Sequence, residues 1–348
     1  MMEKTLPEVC IENENGKYPI YGSGGIMGRA TDFICDAGTV VIGRKGSINN
    51  PIFVDEPFWN VDTAFGLVAH RDVLLPKYLF YFCVNFDFER LNTTVTIPSL
   101  TKANLLQIEI NVPDMDEQRR VVSILDKICQ LIDLQQQELH SLDQLVKSRF
   151  IELFGDPIAN PLGWPVKRLD DISVLITNGN TPKGGSDNYV SEGIVFLRSQ
   201  NVWRNKIDLD DVAYIDAATH ADMAKSSLHD KDILITKTGR INTENSSLGR
   251  AALFRGADNS ANINGHVYLV RLDRTTVPEY VVAILTGEPY RRYIRKVCVG
   301  GIDKRQINLD QVEDFPIILP PIELQEQFAT FVEQTDKSKL FDVMEVAA

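Results

Sequence analysis

Apolar residues recur every three or four positions from Met115 to Leu153, a stretch that contains neither proline nor glycine. This spacing predicts a single amphipathic helix, about 60 Å long at a rise of about 1.5 Å per residue. The predicted apolar stripe includes Leu125, Ile128, Ile132, Leu139, Leu142 and Val146. An exposed stripe of this length is unfavourable in water, so we expect another helix to cover it.

A second amphipathic segment begins near Ile322 and carries Phe328, Phe331 and Val332 on its apolar side. We expect it to pair with the long helix in a coiled coil. A homodimer formed through the long helices is the alternative. The later part of this segment, residues 337–348, is poorly periodic, so the second helix is predicted to be the shorter of the two.

The sequence that leads into each helix is duplicated. Residues 108–112 and 315–319 both place apolar side chains at alternate positions, which predicts a strand. Pro113 and Pro320 then end these strands, and an acidic residue and a glutamine follow. The two glutamines are Gln118 and Gln325.

Earlier parts of the chain also match in pairs. Residues 40–46 resemble residues 234–240 in that an apolar run leads to a Gly-Arg pair, so Gly43 is matched to Gly239. Residues 6–9 resemble residues 169–172. Such duplication predicts two copies of one structural unit. The predicted segments are a first domain at residues 1–113, a central helix at 114–155, a larger second domain at 156–320 and a C-terminal helix at 321–348.

Short apolar runs bounded by turn-forming residues dominate both predicted domains. Each domain also has one helical stretch, at residues 76–88 in the first and 278–296 in the second. This mixture predicts an α+β fold with mainly antiparallel sheets in both domains.

The net charge of −12 argues at first against nucleic-acid binding, because proteins that bind nucleic acids are usually basic. The cations are unevenly distributed, however. Residues 156–320 contain 20 of the 36 Lys and Arg side chains. A local basic surface on the second domain is therefore compatible with the acidic total.

The motifs of common catalytic centres are not found. The chain has no G-x-x-x-x-G-K-[ST] phosphate loop, no Cys-x-x-Cys pair among its five cysteines, and no metal-ligand spacing among its five histidines. No apolar run is long enough to span a bilayer, and nothing suggests export. We therefore expect a cytoplasmic chain that holds no metal or cofactor and is not itself an enzyme.

The duplicated strand, proline and E-x-Q pattern at each helix start resembles the specificity subunit of type I restriction–modification enzymes. The residues that carry the resemblance are Pro320, Pro321, Glu323 and Gln325, more loosely Pro113, Asp116 and Gln118, and the opening Gly163-Trp164-Pro165 of the second domain. The resemblance covers nearly the whole chain. Members of this family usually have a longer second helix than this chain.

The resemblance implies two target recognition domains at opposite ends of an antiparallel helix pair, each recognising one half of a split, asymmetric DNA site. It also implies assembly with two DNA adenine methyltransferase (modification) subunits and a restriction subunit. S-adenosylmethionine, ATP and Mg would be bound by those partners. A short or inactive form with altered assembly, an enzyme with an unrecognised site and a coiled-coil scaffold are the alternatives.

Basic residues beside glycines are candidates for DNA contacts, because glycine allows the backbone to approach phosphates or base edges closely. Arg44 and Lys45 lie in such a turn in the first domain, and Lys237 and Arg240 lie in the matching turn of the second. Turns at strand ends with solvated charges are the alternative.

A second group of candidates follows the helical stretch of the second domain. Helical spacing places the first four cations on one face, which suits contacts along a phosphate backbone. The group consists of Arg291, Arg292, Arg295, Lys296, Lys304 and Arg305. A solvated helix face is the alternative interpretation.

Overall fold

The computed structural model describes residues 16–92, 97–243 and 245–347, with side chains up to Lys339. The chain forms two compact units, Met1–Gln135 and Gln136–Ala348. The predicted match of residues 6–9 with residues 169–172 lies outside the described residues. Within the described part of the chain, no helix is both long and apolar enough to cross a membrane.

The first unit contains two three-stranded sheets with strand orders β2-β1-β5 and β4-β3-β6. The strand pairs are antiparallel except β1 with β5. The elements are β1 (Tyr18–Gly22), β2 (Gly25–Ala30), β3 (Thr39–Gly43), β4 (Ile52–Val54), β5 (Trp59–Asn60), β6 (Ala64–Val68), α1 (Pro76–Asn85), a 3-10 helix (Phe88–Leu91), α2 (Lys102–Leu105) and the start of α3 (Met115–Phe154).

Strand β3 is the centre of the first unit and is buried along its whole length. Val40 and Ile42 pack in one apolar cluster with Cys83 of α1, whereas Val41 packs in another with Phe58. Successive side chains of a strand point to opposite faces, so a continuous apolar run fits a strand that is covered on both sides. The turn that follows Gly43 is therefore attached to a rigid base.

The second unit is larger, and its main sheet has the order β15-β13-β17-β8. Its elements are the end of α3, β7 (Val166–Arg168), a 3-10 helix (Asp170–Ile172), β8 (Ser173–Asn178), a 3-10 helix (Gly185–Asn188), β9 (Ile194–Leu197), β10 (Val202–Trp203), β11 (Lys206–Ile207), β12 (Ala213–Ile215), α4 (Ala217–Asp222), a 3-10 helix (Ala224–Ser226), β13 (Ile233–Thr236), β14 (Thr238–Arg240), β15 (Ala251–Leu253), β16 (Ala261–Ile263), β17 (Val267–Leu272), α5 (Pro278–Thr286), α6 (Glu288–Val297), β18 (Val299–Gly300), β19 (Lys304–Gln306), α7 (Leu309–Glu313), β20 (Pro316–Ile318) and α8 (Ile322–Ala347).

Strand β13 is the counterpart of β3 and is likewise buried throughout. Ile233 and Ile235 pack in the cluster that contains Tyr280 of α5, while Leu234 packs with Leu197 of β9. The remaining strands form smaller sheets with the orders β12-β9-β16, β14-β19-β18, β10-β11 and β20-β7. The predicted α+β class with mainly antiparallel sheets is confirmed in both units.

One predicted helix of the second unit is two helices. The sequence indicated a single helix over residues 278–296, but α5 ends at Thr286 and α6 begins at Glu288. Gly287 between them is extended, with φ −67° and ψ 150°. Pro289 has no N–H to donate to the carbonyl of Leu285, and its ring would clash with that carbonyl, so α5 cannot continue through it.

The predicted strand at residues 108–112 is wrong, because these residues form no strand in the structure. The equivalent strand of the second unit, β20, exists as the antiparallel partner of β7. A strand requires such a partner to satisfy its backbone hydrogen bonds. None of the described residues pairs with residues 108–112 in a ladder.

The end of α3 and the start of α8 run antiparallel within the second unit. The Phe150 and Phe328 rings lie 5.5 Å apart, and Lys339 Nζ lies 2.8 Å from an Asp143 carboxylate oxygen. Although burial alone lowers the pKa of Lys339, its bonds to Asp143 and Asp336 raise it overall, so the ion pair persists at neutral pH. The predicted antiparallel pairing of the two helices is thus present here.

The residues of the predicted stripe differ in how far they are covered. On α8, Phe328 and Val332 are buried and Phe331 is half-buried. On α3, the half-buried positions are Leu125, Leu139, Leu142 and Val146. Ile128 and Ile132 remain 46% and 41% exposed, so the described residues leave the middle of the stripe largely uncovered.

Candidate nucleic-acid interface

Arg44 is the first residue after β3 and is held by backbone hydrogen bonds on both sides. Its N–H donates to the carbonyl of Thr63 at 2.7 Å, and its carbonyl accepts from the N–H of Leu100 at 2.9 Å. The guanidinium carbon lies 5.8 Å from the centroid of the Phe65 ring. The charge itself remains exposed, so the side chain rests on an aromatic ring at the edge of the sheet.

Lys237 is held in the same way at the end of β13. Its N–H donates to the carbonyl of His266 at 2.9 Å, and its carbonyl accepts from the N–H of Ile307 at 2.9 Å. The Lys237 ammonium lies 5.7 Å from the centroid of the Tyr268 ring. Arg44 and Lys237 are therefore equivalent positions of the two copies, each with a cation over an aromatic ring.

This equivalence corrects the alignment that the sequence suggested, in which Gly43 was placed on Gly239. The N–H of Gly46 donates to the carbonyl of Pro98, and Gly239 is the ladder partner of Arg305. Gly46 is therefore the true counterpart of Gly239. Gly43 and Gly46 lie three residues apart, so the sequence alone allows either to be aligned with Gly239. The hydrogen bonds of each turn with residues 98–100 or 305–307 decide for Gly46.

The ring beneath Lys237 is fixed and stays neutral. Tyr268 is 1% exposed, and its hydroxyl donates to the carbonyl of Ile307 at 2.9 Å. Burial, with a further contribution from Asp310, raises the pKa of Tyr268 to about 12. At neutral pH the ring therefore offers Lys237 an uncharged aromatic face, which attracts a cation.

The other two turn candidates differ from each other. Lys45 is exposed, its backbone is bridged to Ser99, and it forms no ion pair with any residue in the described part of the chain. Arg240 is 70% exposed and lies 3.3 Å from a carboxylate oxygen of Asp303. An exposed pair of this kind is weak, so a phosphate could displace Asp303 from Arg240.

The small sheet β14-β19-β18 brings separate sequence candidates together. Arg240 is the ladder partner of Lys304, and Gly239 is the partner of Arg305. Directly opposed residues share one face of a sheet, so Arg240 and Lys304 form one basic edge. The turn between β18 and β19 carries Ile302, which is 90% exposed.

Helix α6 carries the remaining candidates, which do not all face solvent equally. Arg292, Arg295 and Lys296 are exposed. The Arg291 side chain is only 16% exposed and bonds to Glu288 one turn earlier. Burial raises the pKa of Glu288, but the hydrogen bond and charge of Arg291 and the charge of Arg204 lower it overall, so the carboxylate stays ionised.

Sequence reasoning missed a group of residues in the extra segment of the second copy. The β10–β11 hairpin presents Trp203 and Arg204, and the Arg250 guanidinium carbon lies 3.8 Å from the centroid of the Trp203 ring. Arg250 is buried and donates to the backbone carbonyls of Asn245 and Ser246. The exposed sequence Trp-Arg-Asn-Lys at residues 203–206 was the available signal.

No group of three or more His, Cys, Asp or Glu side chains within the described ranges could hold a metal ion. The functional candidates are instead basic residues at the ends of buried strands and on α6. Each copy thus joins an α+β domain to a long helix and presents a cation on the turn after its central strand. The fold and surface define a duplicated domain–helix protein with a basic surface in each copy.

The chain belongs to the family described as type I restriction modification DNA specificity domain, whose model matches residues 2–144 and 161–341. A putative type I restriction enzyme specificity subunit, MjaX, of Methanocaldococcus jannaschii is 27% identical over 177 residues, which is 51% of this chain and 40% of that protein. The MjaIX specificity subunit of the same organism is 21% identical over 318 residues, or 84% of this chain and 68% of that protein.

The fold is similar to that of a solved type I restriction–modification S subunit from M. genitalium. The TM-score is 0.60 at 15% sequence identity, and the match covers 99% of this chain and 88% of the other. At this identity the likeness concerns the fold alone. The curated relatives are longer: this chain spans 40% of MjaX and 68% of MjaIX.

Proposed function

We propose that this chain is the DNA-recognition subunit of a type I restriction–modification complex and that it supplies recognition without catalysis. Each unit contacts one half of a split, asymmetric DNA site. The observation that carries this proposal is the equivalence of Arg44 and Lys237. A duplicated fold has placed an anchored cation at the same strand end in both copies.

The chemistry of this position suits DNA. Arg and Lys contact phosphates and pair with the O6 and N7 atoms of guanine in the major groove. The aromatic ring beneath each cation restricts its side chain, which reduces the entropy lost on binding. The two copies differ here, with arginine in one and lysine in the other, which supports different contacts in the two half-sites.

Assembly and cofactors are also part of the proposal. The chain would recruit modification subunits, two by analogy with the family, and a restriction subunit. S-adenosylmethionine, ATP and Mg would be bound by those partners. Assembly with a single modification subunit, or as a homodimer through the long helices, would be distinguished by the mass of the complex in native mass spectrometry.

The test is adenine methylation in cells that express the modification subunit together with wild-type chain, Arg44→Ala or Lys237→Ala. Wild-type chain is expected to produce a split motif. Each variant is expected to lose methylation or to relax the sequence requirement in its own half-site only. A bidentate contact is worth about 1–3 kcal/mol of discrimination, or roughly 5- to 150-fold.

Arg44→Lys and Lys237→Arg keep the charge over the ring and are expected to retain methylation, with any change confined to their own half-site because arginine and lysine contact bases differently. Two outcomes would overturn the proposal. One is a wild-type motif that neither alanine variant changes, and the other is methylation that does not depend on the chain. Methyl transfer or cleavage by the purified chain alone would instead favour an enzyme with an unrecognised site.

A further inference from the structure

The β10–β11 hairpin lies against the start of helix α6. An Arg204 guanidinium nitrogen lies 3.9 Å from a Glu288 carboxylate oxygen, and the same oxygen accepts a hydrogen bond from Arg291. Glu288 therefore contacts one cation of the hairpin and one cation of the helix. The exposed tip of the hairpin and the basic helix are neighbours in space although they are far apart in the sequence.

The tip of this hairpin is held firmly. Asn205 adopts a left-handed backbone conformation with φ 55°, and its N–H donates to the carbonyl of Ala251 at 2.8 Å. The guanidinium of Arg250 covers one face of the Trp203 ring. Because Arg250 is itself buried and hydrogen-bonded to the backbone, the hairpin backbone that carries Arg204 and Lys206 is held in place.

We propose that the hairpin tip and helix α6 form one phosphate-binding surface that contacts the DNA backbone beside the half-site of the second unit. This inference rests on the function proposed above. The hairpin–helix surface consists of Arg204, Lys206, Arg292, Arg295 and Lys296, with Glu288 among them. Exposed cations on two adjoining elements favour a polyanion such as duplex DNA.

The first unit carries a different surface at the equivalent place. Helix α1 ends at Asn85, and the described residues that follow it include Asp87 and Glu89 beside a single Arg90. Arg90 also pairs with Asp87. The second unit therefore contacts a longer stretch of DNA backbone than the described part of the first unit offers.

Glu288 is a counter-charge within this surface. It pairs with Arg204 and Arg291, and its negative charge opposes the approach of phosphates. Glu288→Gln removes that charge while keeping an acceptor for the arginines. The surface then becomes more positive, so the variant is expected to bind duplex DNA more tightly.

The experiment measures binding of the assembled complex to a duplex that contains its methylated motif, at several salt concentrations. Arg204→Ala/Lys206→Ala is expected to reduce the slope of log affinity against log salt by about 2, because each phosphate that the protein no longer neutralises lowers this slope by about 1. Affinity at one salt concentration should fall on the order of 10- to 100-fold. The methylated sequence should stay the same, because phosphate contacts carry no sequence information.

Arg168→Ala/Lys337→Ala is the matched control. Each of these cations pairs with an exposed carboxylate, Asp314 at 2.7 Å and Glu333 at 2.8 Å. Their removal changes the net charge of the second unit by the same amount. This control variant is expected to keep the salt dependence of the wild-type complex.

Equal effects of the two double variants, or an unchanged salt slope, would overturn the hairpin–helix surface while leaving the proposed function intact. A changed methylated sequence would also overturn it, since that outcome indicates base contacts. If cells that express wild-type chain with the modification subunit show no methylated motif, the proposed function itself is contradicted. If the hairpin variant does not fold, Glu288→Gln decides: tighter binding supports the surface, and unchanged binding rejects it.

Discussion

Gln118, near the start of α3, accepts a hydrogen bond from the backbone N–H of Leu75 at 2.8 Å. Leu75 immediately precedes Pro76, the first residue of α1. The amide nitrogen of Gln118 donates to the carbonyls of Val73 and Pro113, both at 2.8 Å. A single buried side chain thus joins the starts of two helices within the first unit.

Gln325 makes the equivalent contacts in the second unit. It accepts from the N–H of Val277, which precedes the first residue of α5, at 3.1 Å, and donates to the carbonyl of Pro320 at 2.9 Å. The duplicated glutamine therefore has a structural explanation. Helix starts leave backbone N–H groups without partners, and a buried amide side chain satisfies them in both copies.

Gln325→Ala is expected to destabilise the second unit by about 2–3 kcal/mol, because it leaves a buried N–H and a buried carbonyl without partners. Gln118→Ala should act similarly on the first unit. Urea unfolding of the purified chain measures both effects. Gln327→Ala, at an exposed position of α8, is the control and should change stability by less than about 0.5 kcal/mol. If Gln118→Ala and Gln325→Ala lower stability no more than Gln327→Ala does, water replaces the glutamine side chain in both units.

Acid should weaken the packing of α1 on α3 in the first unit. The Asp126 carboxylate accepts from the Tyr81 hydroxyl at 2.6 Å and pairs with Lys77 at 2.7 Å. Burial raises the pKa of Asp126, but these bonds lower it overall, below its ordinary 3.8. A lowered pKa means that the folded state favours the carboxylate. The stability contributed by Asp126 is therefore complete above its ordinary pKa and is lost as pH falls through the lower folded value.

Asp126→Asn provides the comparison for this effect. At neutral pH the variant should be less stable than wild type by about 1 kcal/mol, which is typical of a partly exposed pair with a hydrogen bond. The difference should shrink below pH 4 as the wild-type carboxylate becomes protonated. Urea unfolding at several pH values measures it. A stability difference between wild type and Asp126→Asn that stays constant down to pH 2 would show that the Asp126 carboxylate does not cause the acid effect.

The fold was predictable where one physical signal dominates. The periodic stripe from Met115 to Leu153 specifies a long helix, and the buried runs at β3 and β13 specify central strands. The break at Gly287 was missed because apolar periodicity continues across it, although Pro289 removes the required donor. The two-residue strands β10 and β11 are too short for any periodicity to show.

The sequence predicted which residues belong to the candidate site, but not which residue of one copy corresponds to which residue of the other. Basic residues beside glycines identified Arg44 and Lys237, yet the alignment of Gly43 with Gly239 hid their equivalence. That equivalence depends on hydrogen bonds to Leu100 and Ile307, which lie far along the chain. The stacking of Arg250 on Trp203 likewise joins residues that no local pattern connects.

The corrected alignment of the two copies, which places Gly46 on Gly239, leads to a prediction about these two glycines. Gly46 has φ +79°, and an added Cβ would meet no heavy atom within 4 Å. Gly46→Ala should therefore cost only the strain of a left-handed backbone, about 1–2 kcal/mol. Gly239 differs, since its Cβ would lie 2.2 Å from the backbone nitrogen of Leu248. Gly239→Ala must push β14 away from that loop, and we expect a loss of about 3 kcal/mol.

Urea unfolding of the two alanine variants measures this contrast, and DNA binding adds a second readout. Gly239→Ala displaces the edge that carries Arg240 and Lys304, so it should weaken binding more than Gly46→Ala does. Comparable losses of stability in both variants would show that the loop around Leu248 yields easily. In that case Arg240 and Lys304 would not be held rigidly at the edge of the sheet, and the fixed basic edge of the second unit would have to be abandoned.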